Sequence, residues 1–439
     1  MKRQLIIELE TWKNDRDRKV LLLRGARQVG KTYLIREFGK LFRNSIEINF
    51  EKNSEFCSFF EQNLDAGRII NDLSIFLGEP IEDGKTLLFF DEIQKCPRAI
   101  EALRYFYEDR KGLHVIAAGS LLEFALEEIA SFGVGRIRSL FMYPMSFDEF
   151  ILASGEESLL ELKRNATPST PLQEPFHNKL IDLLKKHLIL GGMPEVVKTY
   201  LGGGNIRDIR NILSDISISY YDDFEKYRRN VPVLRLKEVM DSVIRQSGGK
   251  FVFSQSSTTS SPQQARDALN LLEMAGLVHK AYHTSGQGIP LGSGMNIKMF
   301  KALILDTGIL QMLLDFKLTE PMLAGNIDML NKGSLAEVYA GLEMIKYANP
   351  YAPFRLFYWH REKRGSSAEV DYLVSREEEI VPLEVKSGST GKMQSMNLFM
   401  QERGSNKGFR VSLENFSSYE KIEVIPLYAL SNLRERDYL

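Results

Sequence analysis

Cysteine is nearly absent: the 439 residues hold two, Cys57 and Cys96. Two thiols cannot build a disulfide framework or a multi-thiolate zinc site, and such a chain suits a reducing compartment. Histidine is scarce as well, with six scattered along the chain. His279 and His283 stand four apart, a metal-binding spacing on a helix, but their surroundings read as a strand, so no zinc motif results. No apolar run approaches the roughly 20 residues that cross a bilayer. The start, MKRQLIIELETW, has only three consecutive apolar residues before Glu8 and makes a poor signal peptide. These absences lead us to expect a cytoplasmic chain with no membrane role. Net charge is −1, which excludes a uniformly basic coat for nucleic acid.

What is present is a globular composition, 44% hydrophobic and 26% charged, enough for two to four domains. Charge is uneven: residues 1–43 hold twelve Lys/Arg against five Asp/Glu. The first 150 residues alternate apolar runs (20–24, 45–50, 86–91, 114–120) with amphipathic stretches (31–42, 98–110). That alternation predicts a parallel sheet wrapped by helices. A polar stretch, 155–175, breaks the periodicity and reads as an insertion or linker; 176–250 reads as helical, interrupted by GGMP at 191–194. Within 251–300 a helix, a strand and a Gly-rich hairpin follow a Ser/Thr/Gln-rich run, the order of a winged helix-turn-helix. The last hundred residues predict a helix (333–347), strands (354–360, 368–375, 380–386), a helix near 393–402 and more strands.

The sharpest motif is Gly25-Ala26-Arg27-Gln28-Val29-Gly30-Lys31-Thr32, followed by Tyr33. It matches G-x-x-x-x-G-K-[ST], follows an apolar strand and opens a helix. The glycines let successive backbone N–H groups turn toward phosphate oxygens. Lys31 then reaches the β- and γ-phosphates, and Thr32 ligates Mg²⁺. A buried strand ending in Asp91-Glu92 supplies the usual complement, with Asp91 supporting the metal and Glu92 polarising an attacking water.

GARQVGKT, LLFFDEIQKCP, AAGS and GR before YPMSFDEF together resemble AAA-type (AAA+ superfamily) P-loop ATPases. More narrowly, they resemble the prokaryotic ones that carry a C-terminal domain of unknown function. GGMPEV, KMFKALILDTGIL and AEVDYLV…PLEVK extend the resemblance over nearly the whole chain. The resemblance implies ATP and Mg²⁺ as cofactors, and it implies roles. Ser120 is then a polar sensor, Asn49 a partner that holds Glu92 back, and Arg136 or Arg138 a charge-stabilising arginine that could be donated across a subunit interface. No second sensor arginine stands out.

Two further constellations lie downstream. Gln263, Gln264 and Arg266 would face a groove on the winged-helix reading, but only Lys250, Arg266 and Lys280 are basic between 250 and 290. Asp371, then Glu384 and Lys386, sit on strands of hairpin-like spacing, with Glu337 on the preceding helix. Asp371 and Glu384 could share a divalent cation with Lys386 near its bound water, the chemistry of metal-assisted phosphodiester cleavage. This order of elements resembles the restriction-endonuclease-like fold, with valine where a proline often precedes the aspartate.

The expected architecture is α/β: an AAA-type core over 1–155, a helical extension with polar linker over 156–230, a winged-helix-like domain over 231–325, and a nuclease-like domain over 326–439. The expected function is Mg²⁺-dependent ATP hydrolysis that controls the downstream domains. An ATP-gated nuclease of defence or mobile-element biology, and a nucleotide-controlled interaction module without turnover, stand as alternatives. Nucleic acid, an unknown protein and further copies of the chain are the partners these readings entail.

Overall fold

The computed structural model describes residues 1–120, 122–128, 135–227, 231–256, 261–316, 333–361, 368–386 and 393–439. The anticipated boundary at 325/326 and residues 257–260 of the Ser/Thr/Gln run lie outside the described residues.

Apolar runs in the N-terminal third become strands because they can be buried on both faces, as parallel strands covered by helices must be. They are β1 (Val20–Arg24), β2 (Asn44–Asn49), β3 (Thr86–Asp91) and β4 (His114–Ala118). A fifth, β5 (Ile137–Phe141), joins them in an all-parallel sheet of order β2-β3-β4-β1-β5. Every residue of β3 and β4 is buried, whereas only Leu140 is buried in β5. That edge position explains why β5 carries no apolar run and went unanticipated. Around the sheet lie α1 (Leu5–Asn14), α2 (Lys31–Gly39), α3 (Ala66–Leu77), α4 (Pro97–Asp109) and α5 (Leu122–Glu128). Asp65 starts α3 by accepting from Arg68 N, and Gly78 ends it in the left-handed region. Leu22, Ile48, Phe90, Ala117, Leu103 and Phe106 belong to the core between sheet and helices. Phe90 is fully buried there, and truncating it to alanine would cost about 3–5 kcal/mol.

This unit spans Lys2–Tyr143 and also claims Pro350–Pro353. Phe141 N, at the end of β5, donates to Pro350 O at 2.8 Å, and Arg138 lies over the Tyr351 ring, 5.4 Å from its centroid.

The second unit comprises Pro144–Asn349 and Phe354–Leu439. It opens with α6 (Phe147–Ala153), α7 (Glu157–Asn165), α8 (Glu174–Leu190), α9 (Pro194–Leu201), α10 (Ile206–Asp222), α11 (Phe224–Tyr227), α12 (Val233–Gln246) and α13 (Pro262–Met274). The stretch read as an insertion or linker carries a helix with a buried face. Within it, α7 buries Leu159, Leu160 and Lys163, and the Lys163 ammonium meets Asp148 Oδ1 and Ser431 Oγ at 2.5 Å each. A lysine with a buried partner looks like a surface residue in sequence. GGMP also gains a physical role. Asp306, which caps α14 (Thr307–Leu313), accepts from Gly308 N and Ile309 N and takes Gly192 N at 2.6 Å.

Eight strands form one mixed sheet of order β12-β13-β11-β10-β9-β8-β6-β7. They are β6 (Val278–Thr284), β7 (Met295–Ile304), β8 (Leu356–His360), β9 (Glu369–Arg376), β10 (Glu379–Val385), β11 (Gly408–Ser412), β12 (Ser417–Tyr419) and β13 (Ile422–Pro426). Helix α13, β6 and β7 follow in the anticipated order, but the hairpin is no free wing: β6 pairs in parallel with β8. Its strands are therefore part of the C-terminal sheet. Among the described residues, no helix is long and apolar enough to cross a membrane.

Candidate functional site

The phosphate loop is built where β1 must turn into α2. Gly25 takes φ +144, and a Cβ there would lie 2.1 Å from Met142 O, so the close approach requires glycine. Gln28 (φ 64) and Gly30 (φ 96) complete a run of left-handed turns that curls backbone amides into an anion-binding concavity. Arg3 secures the loop from outside: its guanidinium donates to Val29 O and Tyr143 O, each at 2.6 Å. Sequence reasoning missed Arg3; its only signal is the basic N-terminal stretch.

Lys31 opens α2 with its side chain buried. Its Nζ donates to Gly25 O and Ala26 O at 2.8 Å. Burial draws its pKa down to about 8, against the pull of Glu92 and Asp91. Ala26 and Val29 pack inward, while Tyr33 stands 48% exposed at the first turn.

Strand register assembles the acidic half. Asn49 pairs with Asp91 across β2 and β3. Asn49 Nδ2 donates to Asp91 Oδ2 at 3.0 Å, and Thr32 Oγ1 lies 3.2 and 3.3 Å from the two Asp91 oxygens. Burial first, and then the neighbouring Glu92 charge, raise the Asp91 pKa. Glu92 follows in the left-handed region at φ 49. Its Oε2 accepts from Gln94 Nε2 at 2.5 Å and from Ser120 Oγ at 3.0 Å. The partner anticipated for Glu92 is therefore corrected: Asn49 holds Asp91, while Gln94 and Ser120 hold Glu92. Gln94 was legible only as the last letter of DEIQ.

The two candidate arginines lie away from their own phosphate loop. In the parallel register Val20 pairs with Ile137 and Arg24 with Phe141. Arg136 thus precedes β5 at the edge of the sheet opposite the phosphate loop, where its Nε meets Glu108 at 2.9 Å. Arg138 sits mid-strand, 3.9 Å from Asp15. The arginine at the loop's own edge is Arg24, which forks onto Glu123 and reaches Ser139 Oγ at 3.1 Å.

For ATP and Mg²⁺ the fit is good. Glycine is demanded by a backbone contact, a buried ammonium rests on carbonyls alone, and a hydroxyl–carboxylate pair stands where the metal's ligands belong.

The C-terminal constellation has a different centre. Glu337 lies on the helix Gly333–Tyr347, Glu369 and Asp371 on β9, Glu384 on β10. The ammonium among them is Lys301 of β7, side chain 1% exposed: 2.6 Å from Glu369 Oε1, 3.4 Å from Glu337 Oε2 and 3.8 Å from Asp371 Oδ1. Asp371 Oδ2 accepts from Val385 N at 2.8 Å, and Glu384 Oε1 is bonded to Lys386 Nζ at 2.7 Å. Burial, with the Asp371 charge second, pushes Glu337 up to about 8 and Glu384 up to about 7. Burial raises Asp371 as well. Burial alone would lower Lys301, but the carboxylates of Glu337, Asp371 and Glu369 outweigh it and hold its pKa above the ordinary value. The sequence-predicted residues are neighbours, but Lys386 contacts Glu384 directly, and among the described residues no group of three or more His, Cys, Asp or Glu is placed to hold a metal ion. As they stand, they do not fit a shared divalent cation. Lys301 was missed, although a lysine inside the apolar run of KMFKALIL was its signal.

On the third arrangement, Gln263 Nε2 donates to Asp267 at 2.8 Å and Arg266 lies over Phe253, 5.7 Å from the ring centroid.

Residues 17–151 match the family model of an AAA domain. Residues 181–320 and 332–430 match two domains of unknown function, DUF8612 and DUF4143. No curated protein matches the chain in sequence. Among solved structures, it is similar to a Walker-type ATPase of Pyrococcus abyssi at 18% identity, with TM-score 0.43, over 70% of this chain and 94% of that one. It is also similar to the Aeropyrum pernix ORC1 protein in complex with DNA at 12% identity, with TM-score 0.30, over 74% and 95%. The family match and the parallel sheet with its phosphate loop make the N-terminal region an AAA-type P-loop ATPase domain.

Proposed function

We propose that the chain hydrolyses ATP with Mg²⁺ at this loop and uses its nucleotide state to control its C-terminal half. One observation carries the reading: Lys31, Thr32 and Asp91 converge on one end of the parallel sheet with Glu92 held beside them by Ser120 and Gln94. Bound Mg²⁺ would neutralise phosphate charge. Lys31 would hold phosphate, Thr32 and Asp91 the metal, and Asn49 would keep the Asp91 carboxylate oriented. Glu92 would accept a proton from the attacking water once released from Ser120, and Ser120 would then be free to read the phosphate.

Control of the second unit is supported by connectivity, since the chain passes between units at 143/144, 349/350 and 353/354. A change that shifts β5 is thereby carried along the backbone. The winged-helix and nuclease-like readings of the second unit enter as what such control would act on.

The test is phosphate release by wild type against Glu92→Gln, with ATP affinity measured on Lys31→Ala. We expect turnover to fall about 10²–10⁴-fold in the first and ATP affinity to drop in the second. Equal release from wild type and Glu92→Gln would overturn the hydrolytic reading. Arg136 adds a test of assembly, because it lies at the far edge of its own sheet. If it serves the reaction it does so on another copy, so mixing Arg136→Ala with Lys31→Ala protein should restore turnover that neither variant has alone.

A further inference from the structure

The carboxylate cluster of the eight-stranded sheet is assembled around a side chain rather than around a space for an ion. We propose that Lys301 is the resident cation of this cluster, so that the C-terminal half takes no divalent metal at Glu337, Asp371 and Glu384 and performs no metal-assisted hydrolysis there. The inference concerns the nuclease alternative alone and leaves the ATPase reading untouched.

Three observations converge. The first is position: the ammonium lies within 3.8 Å of carboxylates from two different elements, the helix Gly333–Tyr347 and β9, on a side chain that is 1% exposed. An ion bound to Glu337 Oε2 at the ~2.1 Å of magnesium would sit within ~5.5 Å of that ammonium, charge against charge. The second is attachment. Lys301 is a strand residue paired with Ala281 of β6, and its Nζ is 5.2 Å from the centroid of the Tyr358 ring. The sheet thus fixes the backbone from which the ammonium reaches the cluster. The third is the fate of the other ligand atoms. Asp371 Oδ2 is taken by Val385 N and Glu384 Oε1 by Lys386. Of Glu384 only Oε2 is left, and it is buried without a hydrogen-bond partner.

Lys301 therefore does what a metal would do for packing, holding the carboxylates of Glu337, Glu369 and Asp371 together at the seam between the β6–β7 hairpin and the rest of the sheet. It does so without a coordination site that could bind and activate water.

The experiment uses the full chain without nucleotide and titrates Mn²⁺ by electron paramagnetic resonance and calorimetry. Wild type and Asp371→Asn should give the same isotherm, because the cluster contributes no site. Lys301→Met should gain one Mn²⁺ per chain, and Lys301→Met with Asp371→Asn should lose it again. Mn²⁺ binding or Mn²⁺-dependent DNA cleavage by wild type that Asp371→Asn abolishes would overturn the proposal. A folded Lys301→Met protein that gains no site would overturn it too. If Lys301→Met fails to fold, the comparison of wild type with Asp371→Asn decides alone. Phosphate release followed on the same wild-type sample keeps a failure of the ATPase reading separate.

Discussion

Lys31 and Lys301 both lie buried near carboxylates, and their surroundings treat them in opposite ways. Lys31 rests on two loop carbonyls, and burial pulls its pKa down to about 8. Lys301 lies within an ion pair's reach of Glu369, Glu337 and Asp371, and its pKa is held above the ordinary value. The first is a charge whose full counter-charge must come from outside, and phosphate would supply it. The second has its counter-charges in the fold. A buried cation left under-compensated marks a place for a ligand; one fully compensated marks a joint.

The largest effect should come from the joint. Lys301→Met leaves buried carboxylates without their cation and should cost about 3–5 kcal/mol in chemical denaturation. A loss below about 1 kcal/mol would break the contrast. Lys31→Met should do the reverse. A lysine with a depressed folded-state pKa opposes folding wherever the unfolded chain would hold its proton, and the penalty fades as pH rises from about 8 toward 10.5. At pH 7 and without nucleotide the variant should be more stable, on the order of 2–3 kcal/mol, with the gain disappearing above pH 10.5. The same protein should lose ATP affinity roughly ten- to hundredfold, measured by fluorescent nucleotide titration.

A third effect is a slope. Glu337 ionises at about 8 in the fold against 4.5 in the open chain, so the folded protein holds a proton that the unfolded one has given up. Its contribution to stability is present below pH 4.5 and falls away as pH rises to 8. Glu337→Gln should flatten the decline of Tm across that window. An unchanged slope would show that another group bears the charge.

The nucleotide site was largely legible because its chemistry is local: a loop of eight residues and a dipeptide at a strand end. What escaped was everything that strand register decides. Asn49 faces Asp91 because β2 and β3 align them residue for residue, a fact no spacing contains. Arg136 falls at the edge of its sheet away from its own loop for the same reason. Lys301 reaches Asp371 across seventy residues through a parallel pairing of β6 with β8, and that pairing also makes one sheet of two anticipated domains. In the 155–175 stretch, Lys163 is enclosed by Asp148 and Ser431, partners that no local spacing announces.

The tetrapeptide Pro350–Pro353 gives the ATPase unit a property in time as well as in space. Its carbonyl at Pro350 receives Phe141 N, more than two hundred positions earlier, at the open edge of the sheet. A ribosome makes residues in order, and domains tend to fold as they emerge. The phosphate loop, β3 and their core are therefore all synthesised long before the last piece of their unit exists. The acceptor for the final amide of β5 is thus made only after most of the second unit.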